Sequence, residues 1–163
     1  KGGMSEMALE KLSDPREIQH WHGHMETDYI YTLGVAGERF FKEIKQNGRI
    51  VGAKCRRCGI IYVPPRMYCE RCFEKLEDWM DVGRRGTVHT FTIAHVDVDG
   101  SKLEVPTMYA MIKIDGTDGG LVHKLGEIHP DDVKFDMKVE AVLKPKNQRV
   151  GSINDIKYFK PVK

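Results

Sequence analysis

The chain has 163 residues, enough for one ordinary domain or two small ones. Its 26 basic and 24 acidic residues leave a formal charge of +2, which supplies no broad attraction to nucleic acid or to an anionic membrane. No apolar run is long enough to span a bilayer, and Lys1-Gly2-Gly3 before Met4 reads as an expression remnant rather than a targeting segment, so the expected location is cytoplasmic.

Ser13-Asp14-Pro15 is a helix-start signal, a capping side chain followed by proline, and predicts a short helix from Pro15 toward His24. Its His20, His22 and His24 read as solvated or capping groups, with a second metal site as the alternative. From Asp28 to Asn47 the pattern is again helical. Tyr31, Val35, Phe40, Phe41 and Ile44 fall near one stripe, and Asn47-Gly48 makes a stop. Gly34-Val35-Ala36-Gly37 interrupts it, either to let another element pack closely or to open a helix N-terminus at Gly37 to an anion. These elements form an N-terminal helical segment, residues 1–48.

Residues 49–80 read as a metal ribbon. Arg49 to Lys54 is a strand leading to Cys55-Arg56-Arg57-Cys58, ten further residues, and Cys69-Glu70-Arg71-Cys72. Two such knuckles supply four thiolates that can close a tetrahedron around one Zn²⁺, with iron in a rubredoxin-like cage as the variant. Two disulfides are the alternative, but a cytosolic chain keeps its thiols reduced. Four sulfurs leave no open position for water or substrate, so the metal is expected to be structural. Every cysteine is then committed, and no thiol remains as a nucleophile. Gly59 suits the turn after the first knuckle, whereas Phe73 occupies the matching place after the second. Ile60-Ile61-Tyr62-Val63 is the return strand, and Pro64-Pro65-Arg66 stiffens the crossing. Arg66 is either an anion contact or a brace within the ribbon.

Residues 81–163 change period. Gly86 to Val96, Thr107 to Asp115, Gly120 to Leu125, Lys138 to Leu143 and Ile153 to Phe159 are five β-rich segments, divided by turn signals at Asp99-Gly100, Asp115-Gly116, Gly119 and Gly151. A helical turn is expected at His129-Pro130-Asp131-Asp132-Val133. Five strands with a helical element between the third and fourth is the order of an OB-fold barrel. Val88 is out of phase with Phe91 and Ile93, which predicts a bulge where the first strand turns a corner. The expected fold is therefore mainly β with N-terminal helices, a rubredoxin-like Cys₄ zinc ribbon followed by a five-stranded OB-fold barrel.

OB folds often bind single-stranded nucleic acid through two loops, which here differ in sign. The first holds Asp97, Asp99 and Glu104 against Lys102, and the second holds Lys144, Lys146 and Arg149. A groove tracking a polyanion needs basic walls on both sides, so nucleic acid is the weaker reading. The basic loop, with Arg84 and Arg85 near the first strand and Arg66 in the ribbon, suits the compact phosphates of a nucleotide-like ligand instead. Asp97-x-Asp99-Gly100 resembles part of a calcium loop, but a hairpin turn explains it. His89, His95, His123 and His129 have no serine or cysteine partner at a recognisable spacing, and no catalytic residue is assigned.

With ribbon and barrel in place, the motif order resembles the family called domain-of-unknown-function 35. The matching residues run from Tyr31-Thr32-Leu33-Gly34 to Phe40-Phe41, then through both knuckles, Tyr62-Val63-Pro64-Pro65-Arg66, Gly86-Thr87-Val88, Gly151-Ser152-Ile153 and Tyr158-Phe159-Lys160-Pro161. The family often has proline where this chain has Glu70, a difference that leaves the ligands intact. The resemblance implies an accessory role in acyl-CoA metabolism. Members associate with thiolase-fold enzymes such as acetoacetyl-CoA thiolase and hydroxymethylglutaryl-CoA synthase of the mevalonate pathway, related domains partner hydratases and aldolases, and acyl-CoA is a proposed ligand. The leading expectation is a non-catalytic scaffold that bridges or caps a thiolase-type enzyme. A free-standing acyl-CoA binder and a single-stranded nucleic-acid binder are the alternatives.

Overall fold

The computed structural model describes residues 31–97 and 99–162, and the helix expected over Pro15–His24, with its three histidines, lies outside them. The helix expected to end at Asn47 is present as α1, Gly34–Asn47. Its buried face is Ala36, Phe40 and Ile44, spaced four apart, so one narrow stripe meets the core. Val35 does not join it. It lies one position off that stripe and is 64 % exposed. The glycine pair opens the helix rather than interrupting it, because the first turn starts at Gly34, with φ +64°, and not at Gly37. Gly48 ends the helix in the left-handed conformation, with its N–H bonded to Ile44 O at 3.1 Å.

Three short strands follow: β1 (Val51–Lys54), β2 (Ile61–Tyr62) and β3 (Asp78–Asp81), in the order β2-β1-β3. Sequence reading missed β3. Then come β4 (Arg85–Val96), β5 (Lys102–Ile114), β6 (Gly120–Lys124), β7 (Lys138–Leu143) and β8 (Ile156–Pro161), in the order β6-β5-β4-β7-β8. The expected bulge is there, as a register shift between Val88 and Thr90. Two boundaries differ from expectation. Strand β5 begins at Lys102, well before Thr107, because the far half of β4 pairs with it alone. Residues Ile153–Asp155 form a 3-10 turn capped by Ser152, so β8 begins later.

The OB-fold strands do not close into a barrel. Edge strands β6 and β8 meet only in a parallel bridge between Leu125 and Phe159, just past the end of β6. The 3-10 turn Pro130–Asp132, capped by His129, sits between β6 and β7 as expected. One core runs through both sheets and the helix: Phe40 and Ile44 from α1, Ile50, Val51 and Val63 from the ribbon, and Val88, Ile112, Val139, Ile156 and Phe159 from the larger sheet. Burying side chains of this size stabilises by about 2 kcal/mol each. A second, smaller cluster holds Ala53, Cys55, Tyr62, Cys69 and Leu76 around the knuckles.

Candidate metal centre and flanking sites

Both knuckles are closed by the same backbone bonds. Cys55 N–H donates to Ile60 O and Gly59 N–H to Cys55 O, each at 2.8 Å; Cys69 N–H donates to Glu74 O and Phe73 N–H to Cys69 O, each at 2.9 Å. This turn needs a left-handed residue, supplied by Gly59 at φ +74° and by Phe73 at φ +58°. A side chain in that conformation costs about 1–2 kcal/mol, and Phe73 regains little by packing because it is 78 % exposed.

The four sulfurs lie within 4.8 Å of one another. Cys55 and Cys72 Sγ are 3.5 Å apart, and Cys58 and Cys69 Sγ 3.9 Å. A zinc tetrahedron with Zn–S of about 2.3 Å spaces its sulfurs by about 3.8 Å, so the donor set fits one thiophilic ion. Zinc satisfies it, and iron suits the same sulfurs. Without a cation the sulfurs must share protons. Burial pushes the Cys55 thiol up, and the Cys72 sulfur beside Cys58 pushes that thiol up to about 12. The Tyr62 hydroxyl, 3.3 Å from Cys69 Sγ, holds that thiol down at about 6. An ion bound here expels the remaining protons.

The ribbon is bonded directly to the larger sheet. Ile61 N–H donates to Asp118 Oδ2 at 2.9 Å, Asp118 N–H to Ile61 O at 3.0 Å and Gly120 N–H to Val63 O at 2.9 Å. Between them Gly119 presses on the Val63 backbone, leaving no space for a Cβ.

Two family models match the chain: the ChsH2 rubredoxin-like zinc ribbon domain over residues 42–77 and the ChsH2 C-terminal OB-fold domain over residues 79–144. A crystal structure of a DUF35-family protein of unknown function from Sulfolobus solfataricus is 32 % identical, with a TM-score of 0.63 over 79 % of this chain and 87 % of that one. The chain belongs to the DUF35 family. Other DUF35 relatives are called DUF35 domain-containing scaffold protein. That of Methanocaldococcus jannaschii is 28 % identical over 128 residues, 76 % of this chain and 89 % of its own, and that of Methanothermobacter thermautotrophicus is 28 % identical over 129 residues, 76 % and 94 %. A chain of the Ltp2-ChsH2(DUF35) aldolase, 22 % identical over 76 % of this chain and 91 % of that one, shares the fold with a TM-score of 0.58.

This DUF35 chain distributes its expected anion contacts rather than gathering them. Arg66 pairs with Glu70 at 2.6 Å, its guanidinium 5.5 Å from the centre of the Tyr62 ring. Arg84 donates twice to Gly48 O, at 3.2 and 2.9 Å, and Arg149 donates to Lys144 O at 2.7 Å, its guanidinium lying against Gly48. Those two arginines hold the end of α1. Arg85 lines a separate cavity with Lys138, while Lys144 is half-buried and Lys146 exposed on the β7–β8 connection. The Asp99-Gly100 segment is a hairpin turn, in which Ser101 N–H donates to Asp99 Oδ1 at 2.9 Å.

His89 and His95 are exposed, and His129 caps its turn. His123 is only 8 % exposed, with Nε2 3.3 Å from Ile153 O and its ring edge-on to Phe159. Burial holds its pKa below the usual histidine range.

Sequence reading passed over Asp155, which is fully buried and accepts N–H bonds from Val150, Gly151 and Ser152 at 3.0, 2.7 and 3.3 Å. Burial pushes its pKa up, but these three donors outweigh that and hold it below the usual carboxylate range. The signal was the Ser152-x-x-Asp155 spacing of a capping box.

Proposed function

We propose that this DUF35 chain is a non-catalytic scaffold subunit of acyl-CoA metabolism that docks on a thiolase-fold enzyme, bridging or capping it in the cytoplasm. The observation that carries the reading is a four-sulfur metal centre with no open ligand position, held on a ribbon whose backbone is bonded into the neighbouring sheet. Such a centre does no substrate chemistry. It stiffens a platform. The relatives named scaffold proteins support this, as does a fold neighbour described with an aldolase. Affinity isolation of the full chain from native extract, followed by mass spectrometry, tests it. The expected result is stoichiometric recovery of an acetoacetyl-CoA thiolase, a hydroxymethylglutaryl-CoA synthase or a related acyl-CoA enzyme, and recovery of the chain alone overturns it.

Direct acyl-CoA binding is the second reading, favoured because Arg66 and Arg71 both line a cleft of about 380 Å³ beside the ribbon. A CoA phosphate there would compete with Glu70 for Arg66, while Arg85, Lys144 and Lys146 stand apart from this cleft. Calorimetry with acetyl-CoA tests it. Saturable heat that is lost in the Arg66→Ala/Arg71→Ala variant supports it, and no heat at high ligand concentration removes it.

A further inference from the structure

The edge of β6 is bonded at both ends and open in the middle. In an antiparallel pair, alternate residues turn their N–H and C=O toward the neighbouring strand and away from it. Leu125 N–H donates to Met108 O of β5 at 2.9 Å, so the odd positions face β5. The even positions face outward. Gly120 N–H reaches Val63 O and Gly126 N–H reaches Phe159 O, both at 2.9 Å. Val122 and Lys124 lie between them in the same orientation; among the described residues no backbone group bonds to either outward N–H, and the His123 ring lies against the Lys124 backbone.

A cavity of about 280 Å³ opens at this stretch, where β6 and the Ile153–Lys157 segment fail to meet. Its lining is mixed. Val122, 68 % exposed, Tyr109 and Ile153 are apolar, and Lys124 and Lys157 stand at its rim. Neither lysine makes an ion pair among the described residues; Lys124 lies over the Tyr109 ring at 5.7 Å and Lys157 over that of Tyr158 at 5.8 Å. Glu127, which feels the Lys157 charge, is already held by the Tyr158 hydroxyl at 2.6 Å and by Lys160 at 3.7 Å. His123 also lines the cavity, and its Nδ1 is a buried acceptor or donor without a hydrogen-bond partner among the described residues. The volume falls below the roughly 300–1,000 Å³ of a small-molecule site. What the place offers is a strand edge, an apolar slot and two unmatched positive charges.

We infer that the open edge of β6 at Val122 and Lys124 takes up an extended acidic segment of the partner enzyme as an added β-strand, a step that rests on the scaffold reading. Main-chain bonds at the two free positions supply the attachment. A carboxylate cross-strand from Lys124, and another near Lys157, supply the selectivity, while the alternate side chain enters the slot beside Ile153.

The test uses the ¹⁵N-labelled full chain with zinc bound and the synthetic peptide acetyl-Glu-Val-Glu-Val-Glu-amide. The Val122 and Lys124 amide signals shift on titration, and the affinity falls with added salt. Lys124→Glu with Lys157→Glu weakens binding about tenfold. Val122→Pro deletes an N–H that the fold does not use, so it abolishes binding while circular dichroism and metal content stay unchanged. No shift at these amides with millimolar peptide, or equal binding by both variants, overturns the inference. So does a dimeric wild type that Val122→Pro makes monomeric, which would assign the edge to a second copy of the chain. In parallel affinity isolation, equal capture of the enzyme by wild type and Val122→Pro sinks this inference and leaves the scaffold reading standing. A wild type that binds the peptide at β6 but captures no enzyme overturns the scaffold reading and, with it, the partner enzyme as the occupant of this edge.

Discussion

The hydroxyl of Tyr62 touches Cys69 Sγ and also receives the Glu70 N–H at 3.3 Å, so one buried ring orients a ligand and the loop that carries it. Replacing it with phenylalanine keeps the packing and removes the hydrogen bond to sulfur. Metal affinity should fall about tenfold, measured by competition with a chromophoric chelator, while one ion per chain is still bound at saturation. Asp155 makes the same kind of argument without a metal. Its folded pKa is depressed, so the stabilisation is fully present above the unfolded value of about 4 and is lost as pH falls through the folded one. Asp155→Ala leaves three part-buried N–H groups without their acceptor and should cost about 3 kcal/mol at pH 7, measured by urea unfolding. Protection factors at the Val150, Gly151 and Ser152 amides, taken relative to the intrinsic exchange rate at each pH, should fall with acid in the wild type and be low at every pH in the variant. The four cysteines were legible because their spacing is itself the chemistry. Tyr62 and Asp155 were not, since a tyrosine in a strand and an aspartate in a turn look the same whether or not folding brings sulfur or amides to them.

At the scale of elements, the strands with strong alternation were legible and so was the β4 bulge, because Val88 breaks phase with Phe91 in the sequence itself. The third ribbon strand was not. Asp78-Trp79-Met80-Asp81 shows no apolar face, and it is a strand only because Val51 to Lys54 lie alongside it. Barrel closure was overestimated for a related reason. Strand order can be read from turns, but whether the two edges meet depends on tilt and stagger summed over five strands. The joint between ribbon and sheet rests on a glycine. A side chain at Gly119 would collide with the Val63 backbone, which cannot move aside as a flexible side chain could. Gly119→Val should therefore raise hydrogen exchange at Asp118 and Gly120, the two amides bonded to ribbon carbonyls, while bound metal stays at one per chain. Unchanged protection at both amides would show that the joint does not depend on this contact.

For the whole molecule, the two cores differ greatly in what they can hold alone. The cluster around the knuckles has five buried residues, two of them ligands, whereas the shared core draws on the helix, the ribbon and all five larger strands. So small a cluster depends on its ion, and structural zinc contributes on the order of 10 kcal/mol to folding in comparable peptides. Chelation should release one equivalent of metal and expose Cys55 and Cys69 to a thiol reagent, while amides in β4, β5 and β7 keep their protection. Simultaneous collapse of both sets would mean that the larger sheet cannot stand without the ribbon. Tyr62 leans on a sulfur, the adjacent Val63 carbonyl holds Gly120, and Gly120 begins β6. An unbroken run of bonds thus leads from the four-sulfur centre to the vacant strand position beyond it, and on the scaffold reading proposed above a shortage of metal is felt as a slackened mooring.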